Sequence, residues 1–125
     1  MTPLILDKTS DTPEVILDKI SNQFLFAGSS IPENTKKFFQ PIFDWIDQYV
    51  KEPNEETIVD FKMIYFNTSS TKSLLDIMIQ FKQLAKKNKM LIINWYFPED
   101  DEDMLEAGEG FSKMVRFPFN LIKVK

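Results

Sequence analysis

The segment TIVDFKMIYF (57–66), the polar run NTSST (67–71) and the segment LIINWYF (91–97) decide the fold of this chain. The first and last segments alternate like strands, and residues 71–88 between them repeat their apolar positions with helical spacing. A strand, a helix and a second strand in this order favour parallel pairing of the strands through a right-handed crossover. The sequence therefore predicts an α/β fold built around this unit.

One face of each of these two predicted strands is uniformly apolar. The first row is Val59, Phe61, Met63 and Tyr65, and the second is Leu91, Ile93, Trp95 and Phe97. The opposite rows are mixed, since they contain Asp60, Lys62 and Asn94. Helices are therefore expected mainly on one face of the sheet.

Two further strands and a helix are predicted before this unit. Residues 14–18 and 23–27 indicate a hairpin, and residues 34–50 carry a wide apolar helical face interrupted on its polar side by Pro41. Residues 1–11 are interpreted as either a loose arm or an additional edge strand. The apolar helical face consists of Phe38, Phe39, Ile42, Phe43, Trp45, Ile46, Tyr49 and Val50.

A shorter helix and a last strand are predicted after the unit. The acidic run 99–103 opens the helix, and residues 117–124 form the strand, where Pro118 favours an edge position. The whole chain, residues 1–125, is thus predicted to be one α/β domain. We expect a mixed sheet of four or five strands with about three helices mainly on one face.

Composition excludes several classes of function. The formal charge of −4 disfavours binding to nucleic acid or anionic lipid. The absence of cysteine and histidine removes thiolate and imidazole ligands for zinc and the Ser-His and Cys-His nucleophile pairs. We therefore expect no metal, no cofactor and no catalytic residues of these kinds.

No membrane span and no export signal are predicted. No apolar run approaches the roughly 20 residues that a membrane helix requires, and residues 1–7 lack an export pattern. A cytoplasmic protein is expected.

The polar run at 67–71 is the first candidate functional site. It joins the end of a predicted central strand to the start of a helix, where ligands and regulatory groups usually bind in open α/β sheets. Free backbone amides and the helix dipole would stabilise a phosphate there, and Thr68 is the hydroxyl least needed as a cap. The alternative is that Asn67, Ser69, Ser70 and Thr71 only cap the helix.

A second candidate is an apolar strip on the same helix. Leu75 and Ile79 fall outside its predicted core stripe and are bordered by Lys72, Lys82 and Lys86. This pattern indicates a protein-docking surface beginning beside Thr68. Packing of the strip against a neighbouring helix is the alternative.

A small enzyme or ligand carrier is the rival from another class. It would use the acidic run 99–103 or the row Asn94–Tyr96, or pair Asp60 or Asp76 with Ser70. The spacing of the acidic run matches no calcium loop, and the glycines are too scattered to cradle a phosphate.

Several motifs in the same order resemble the SiaC family of bacterial regulatory phosphoproteins, between about Gly28 and Phe119. The motifs are Ser30-Ile-Pro-Glu-Asn34, Phe43-Asp-Trp45, Tyr65-Phe-Asn-Thr-Ser-Ser70 with Lys72 and Asp76-Ile77, and Phe117-Pro-Phe119. The family in turn is similar to STAS domains of anti-sigma-factor antagonists. That similarity implies a loop between a strand and a helix that carries the phosphorylated hydroxyl.

The resemblance also implies a site and partners. Thr68 would be the phosphoacceptor, modified by a serine/threonine kinase and reset by a PP2C-type phosphatase. The output partner would be a GGDEF-type diguanylate cyclase, with cyclic di-GMP and biofilm formation as the result, or an anti-sigma kinase if the chain is an anti-sigma-factor antagonist proper. The predicted partner-binding residues are Lys72, Leu75, Ile79, Glu33 and Asn34.

Overall fold

Six strands form one mixed sheet whose spatial order follows the order of the chain. The computed structural model describes residues 1–125. The first three strands pair antiparallel, and the third to sixth pair parallel. The strands are β1 (Leu4–Leu6), β2 (Glu14–Asp18), β3 (Gln23–Ser30), β4 (Glu56–Phe66), β5 (Met90–Pro98) and β6 (Asn120–Val124).

Three helices connect the four parallel strands: α1 (Thr35–Tyr49), α2 (Thr68–Lys86) and α3 (Glu102–Val115). Three crossovers that each step one strand in the same direction place their helices on one face of the sheet. The buried side chains of the helices and of that face form one core of 25 residues. The predicted α/β class with three helices on one face is therefore confirmed. None of the helices is both long and apolar enough to cross a membrane.

The sheet has six strands, whereas four or five were predicted. The additional strand is β1, within the segment 1–11, which pairs with β2 so that Leu4 lies opposite Leu17 and Leu6 opposite Val15. Three residues are too few for alternation to show in a sequence. The indole Nε1 of Trp45 also donates a hydrogen bond of 2.8 Å to the carbonyl of Thr2, which fixes the start of the chain on α1.

The predicted apolar row of β4 is wrong at Tyr65, because a β-bulge lies near the end of this strand. Gly28 pairs with Met63 and Ser29 with Tyr65, so Ile64 is an extra residue that β3 does not match. A bulge inverts the alternation beyond it. Tyr65 is consequently 56% exposed rather than buried, and Phe66 packs against the core instead. Gly28 supplies the φ of +115° that this irregular pairing uses and that other residues rarely adopt.

The last strand begins at Asn120, three residues later than predicted, and Pro118 precedes it. It lies at the edge of the sheet, as Pro118 indicated, because its other side has no strand neighbour. Residues 117–119 form the turn from α3, whose C-cap Arg116 has a left-handed φ of 60°. The hydroxyl of Ser112 donates to the carbonyl of Phe117 at 2.6 Å and holds this turn.

Candidate functional site

The connection from β4 to α2 is capped by Asn67. Its backbone is extended, and its side-chain Oδ1 accepts a hydrogen bond of 2.9 Å from the amide of Ser70. Its own amide donates to the carbonyl of Ser30 at 3.1 Å, which fastens the connection to β3. The helix therefore begins at Thr68 rather than at Thr71. Ser69, Ser70 and Thr71 lie inside the first turn and do not occupy the N-cap position, because an asparagine one step earlier takes it.

Three of the four consecutive hydroxyls are held by hydrogen bonds. The Ser69 hydroxyl donates to Asn67 Oδ1 at 3.1 Å, and the Thr71 hydroxyl donates to the Asn67 carbonyl at 3.1 Å. Ser69 Oγ also lies 2.7 Å from Thr35 Oγ1, the hydroxyl of the first residue of α1. The starts of α1 and α2 are thus joined through a pair of exposed hydroxyls.

The Ser70 hydroxyl is the buried member of the group. It is fully buried together with Ser30, and it donates to the Ser30 carbonyl at 3.0 Å. The two hydroxyl oxygens lie 2.8 Å apart, so the Ser30 hydroxyl donates to Ser70 Oγ. This pair ties the first turn of α2 to the end of β3.

Thr68 differs from its three neighbours in both exposure and bonding. Its side chain is exposed at the first position of α2, and its hydroxyl makes no hydrogen bond to another residue. A group added to this oxygen would break no existing hydrogen bond. The first amides of a helix lack intrahelical partners and carry the positive end of its dipole, which favours an anion at this position.

A groove between α1 and α2 begins at Thr68. It has a volume of about 640 Å³ and is called the α1–α2 groove below. Its charged side chains are two lysines and one aspartate, and Lys72 Nζ lies 3.3 Å from Asp76 Oδ2. The groove is lined by Thr35, Lys36, Phe43, Thr68, Ser69, Lys72, Ser73 and Asp76.

The predicted apolar strip on α2 is only partly exposed to solvent. Leu75 is half-buried and packs against the core, so the alternative of packing holds for this residue. Ile79 is 47% exposed. Lys82 is turned away from the strip, because its Nζ donates to the carbonyl of Val115 at 2.8 Å. The exposed part of the strip is therefore Ile79, while Lys72 belongs to the groove.

The structure places Glu33 and Asn34 beside the groove rather than in it. Asn34 caps α1, since its Oδ1 accepts from the amide of Lys37 at 3.0 Å, and Glu33 is exposed. Both line a separate depression together with Lys37 and Pro41.

Thr35 and Lys36, which follow Asn34 in the chain and line the α1–α2 groove, were not predicted from the sequence. The repeated pair Asn-Thr at 34–35 and 67–68, each opening a helix, was the available signal.

The acidic run has a structural place at the start of α3. Asp101 is the N-cap, with its Oδ1 accepting from the amide of Met104 at 3.0 Å, and Glu102 and Asp103 lie in the first turn. Acids at these positions stabilise a helix through its dipole.

Residues 94–96 lie along β5, and of the three only Tyr96 lines a depression, which has a volume of about 350 Å³. Asn94 accepts a hydrogen bond from Asn120 at 3.0 Å and donates one to Asp60 at 2.9 Å, and Trp95 is fully buried. Lys62 Nζ lies 4.8 Å from the centre of the Tyr96 ring. Burial, and then the charge of Asp60, raise the pKa of Tyr96, so its phenol stays protonated at neutral pH.

No pairing of Asp60 with Ser70 exists in the fold. Asp60 bonds to Asn94 on the face of the sheet that carries no helix, and Ser70 is buried at the start of α2 on the other face. Asp76 is engaged with Lys72. The Asp60–Ser70 pair of the rival enzyme hypothesis is therefore not formed, because the sheet separates the two side chains.

Known proteins resemble this chain over nearly its whole length. An uncharacterised protein of Pseudomonas aeruginosa strain UCBPP-PA14 is 26% identical over 119 residues, which cover 95% of this chain and 94% of that protein. The structure of SiaC of Pseudomonas aeruginosa superposes with a TM-score of 0.88 at 24% identity, covering 99% of this chain and 100% of that one.

A second solved structure contains a partner. It is the crystal structure of the diguanylate cyclase SiaD in complex with its activator SiaC from Pseudomonas aeruginosa. The TM-score is 0.89 at 25% identity, with 97% of this chain and 99% of that chain covered. The family model described as SiaC family regulatory phosphoprotein matches residues 6–124. With a match that leaves out only the two ends, this chain belongs to the SiaC family of regulatory phosphoproteins.

Proposed function

We propose that this protein is a phosphorylation-gated binding module and that Thr68 is its phosphoacceptor. A serine/threonine kinase would add the phosphate, and a PP2C-type phosphatase would remove it. The observation that carries the proposal is the contrast within one turn of helix: Thr68 is exposed and unbonded, while Ser69, Ser70 and Thr71 are each held by hydrogen bonds. The protein itself would do no chemistry.

The output partner we propose is a diguanylate cyclase of the GGDEF type. The support is the family membership together with a relative of the same fold that is named as the activator of a diguanylate cyclase. The protein would then act in signal transduction through cyclic di-GMP, inside the cell, and would favour biofilm formation.

Gating would follow from charge. A phosphate on Thr68 adds about −1.5 to −2 charge at the mouth of the α1–α2 groove, whose lysines outnumber its one aspartate before modification. A partner that presents carboxylates or apolar groups to this groove would be repelled or would lose hydration without compensation. The unmodified form would therefore be the one that binds the cyclase.

Intact-mass analysis of protein isolated from its native cell tests the modification. We expect a form heavier by one phosphate in the wild type, and no such form in the Thr68→Ala variant, because no other hydroxyl of the run is free. A phosphoform that persists in Thr68→Ala would assign the modification to a different residue. Absence of any phosphoform in wild-type cells whose kinase is active would overturn the proposal.

Binding of the cyclase tests the gate. We expect Thr68→Glu to weaken the affinity about tenfold, or about 1.4 kcal/mol, because a carboxylate places negative charge at the mouth of the groove. Ser21→Glu is the matched control, since Ser21 is exposed in the turn between β2 and β3, at the other end of β3 from Ser30. Titration calorimetry with the cyclase of the same cell measures both.

The melting temperature separates gating from capping in the same variants. Thr68→Ala and Thr68→Glu should melt within a degree or two of the wild type, because the Thr68 hydroxyl makes no hydrogen bond to lose and surface changes are usually small. A large loss of stability in both would mean that Thr68 stabilises the start of the helix.

Co-purification of an anti-sigma kinase instead of a cyclase would assign the output to anti-sigma control.

A further inference from the structure

We propose that Lys72 captures the phosphate on Thr68 by exchanging its ion pair with Asp76. The inference rests on the proposed function, since it takes Thr68 as the modified residue. It adds a positioning residue and a second change of charge within the α1–α2 groove. Neither is needed for Thr68 to be modified.

Thr68, Lys72 and Asp76 occupy one face of α2. They are spaced by four residues each, so each lies about one turn beyond the last, and Lys72 is the middle member. Residues four apart on a helix have Cβ atoms roughly 5–6 Å apart, within reach of a lysine side chain in either direction. All three line the groove. Lys72 therefore faces Thr68 on one side and Asp76 on the other.

Of the two possible partners of Lys72, Asp76 is expected to hold the ammonium group less strongly than a phosphate on Thr68 would. The Lys72–Asp76 contact is 3.3 Å long, and the lysine side chain is 80% exposed, so little holds it there. A lysine followed by an acid four residues later is the less favourable orientation on a helix, and an acid followed by a lysine is the better one. A phosphate on Thr68 would create the better orientation and would carry more charge than a carboxylate.

The exchange would change the groove at two positions. The phosphate would make the first turn negative, and the departure of Lys72 would leave the carboxylate of Asp76 uncompensated two turns further along α2. Half-buried Phe43 on α1 lines the same groove. One modification would therefore reverse the charge along the groove instead of at its mouth only. A partner segment lying along the groove would meet repulsion at both ends of its contact.

A titration of the phosphate followed by ³¹P NMR tests the exchange. Phosphothreonine is incorporated directly at position 68 by an expanded genetic code, and its second pKa is measured in the folded protein. A lysine paired with the dianion lowers this pKa, so Lys72→Gln should raise it by about 0.3 units. Lys86→Gln is the matched control, because Lys86 lies at the other end of α2 with the same charge, and it should leave the pKa unchanged.

Two further variants identify the exchange itself. Asp76→Asn should lower the pKa when Lys72 is present, because its competitor is gone, and should have little effect in the Lys72→Gln background. Equal shifts from Lys72→Gln and Lys86→Gln would overturn the proposal. So would a shift that follows Lys36→Gln instead, since Lys36 would then hold the phosphate from α1.

The outcome is independent of whether a kinase acts in the cell. The phosphate is installed during synthesis, so a missing native phosphoform would overturn the proposed function and leave the role of Lys72 measurable. If the native phosphoform is present but Lys72→Gln leaves the phosphate pKa unchanged, the proposed function stands and the role of Lys72 is overturned. Circular dichroism of each variant checks that α2 is intact.

Discussion

Replacement of Gly108 by alanine is expected to destabilise the protein by about 3 kcal/mol, through overpacking of the core. A Cβ at this position would lie 2.7 Å from both Cγ and Nε1 of Trp95 and closer still to Cδ1. The indole has little freedom to withdraw, because Trp95 is fully buried and its Nε1 donates to the Met104 carbonyl at 2.9 Å. Urea unfolding followed by tryptophan fluorescence measures the effect.

Gly110→Ala is the matched control in the same helix. Apart from its chain neighbours and the backbone of its own helix, no atom lies within 4 Å of the Cβ that alanine would add there. Alanine is favoured over glycine inside a helix, so this variant should gain up to about 1 kcal/mol. If Gly108→Ala proved as stable as Gly110→Ala, α3 would not be seated on the Trp95 ring as described.

Loss of the Ser70 hydroxyl is expected to cost about 2 kcal/mol of folding free energy. Ser70→Ala removes the hydrogen bond to the Ser30 carbonyl and leaves the buried Ser30 hydroxyl without its partner. A buried polar group that loses its partner bears its full desolvation cost. Thermal and urea unfolding should both report the loss.

A double-mutant cycle tests the pairing of these serines. Ser30→Ala combined with Ser70→Ala should cost less than the sum of the two single changes, because neither hydroxyl is then left unpaired. Ser69→Ala is the control, since its hydroxyl is exposed and should matter by only a few tenths of a kcal/mol. Additive single changes would show that the two serines do not depend on each other.

The sequence predicted those elements of the fold that are long enough to show a regular spacing of apolar residues. The segments around residues 57–66 and 91–97 gave the parallel unit, because each is long enough for one apolar face to show. Two features escaped this reasoning. The first is the choice between a loose arm and an edge strand for residues 1–11, because the strand Leu4–Leu6 is too short to alternate. The second is the bulge at Ile64, which changes the face that Tyr65 and Phe66 occupy.

The position of the candidate site along the chain could be predicted from the sequence, but which of its hydroxyls makes no hydrogen bond could not. The run of hydroxyls after a strand marked residues 67–71, and the choice of Thr68 remains a prediction. Which hydroxyl is free depends on partners distant in sequence, such as Ser30 and Thr35, that only the fold brings within hydrogen-bonding distance. The groove beside Thr68 depends likewise on the packing of α1 against α2.

The agreement between spatial and chain order in the sheet has a consequence for how the protein forms. Each strand adds beside the one made just before it, so no strand has to insert between two that already pair. The β2–β3 hairpin joins near neighbours in sequence and has a small loop-closure cost, whereas each parallel pair, such as Phe24 with Val59, closes over a whole helix and is expected to form later. The sheet can therefore grow outward from the β2–β3 hairpin while the chain is still leaving the ribosome, and the Thr68 turn would be complete once β4 and α2 have emerged.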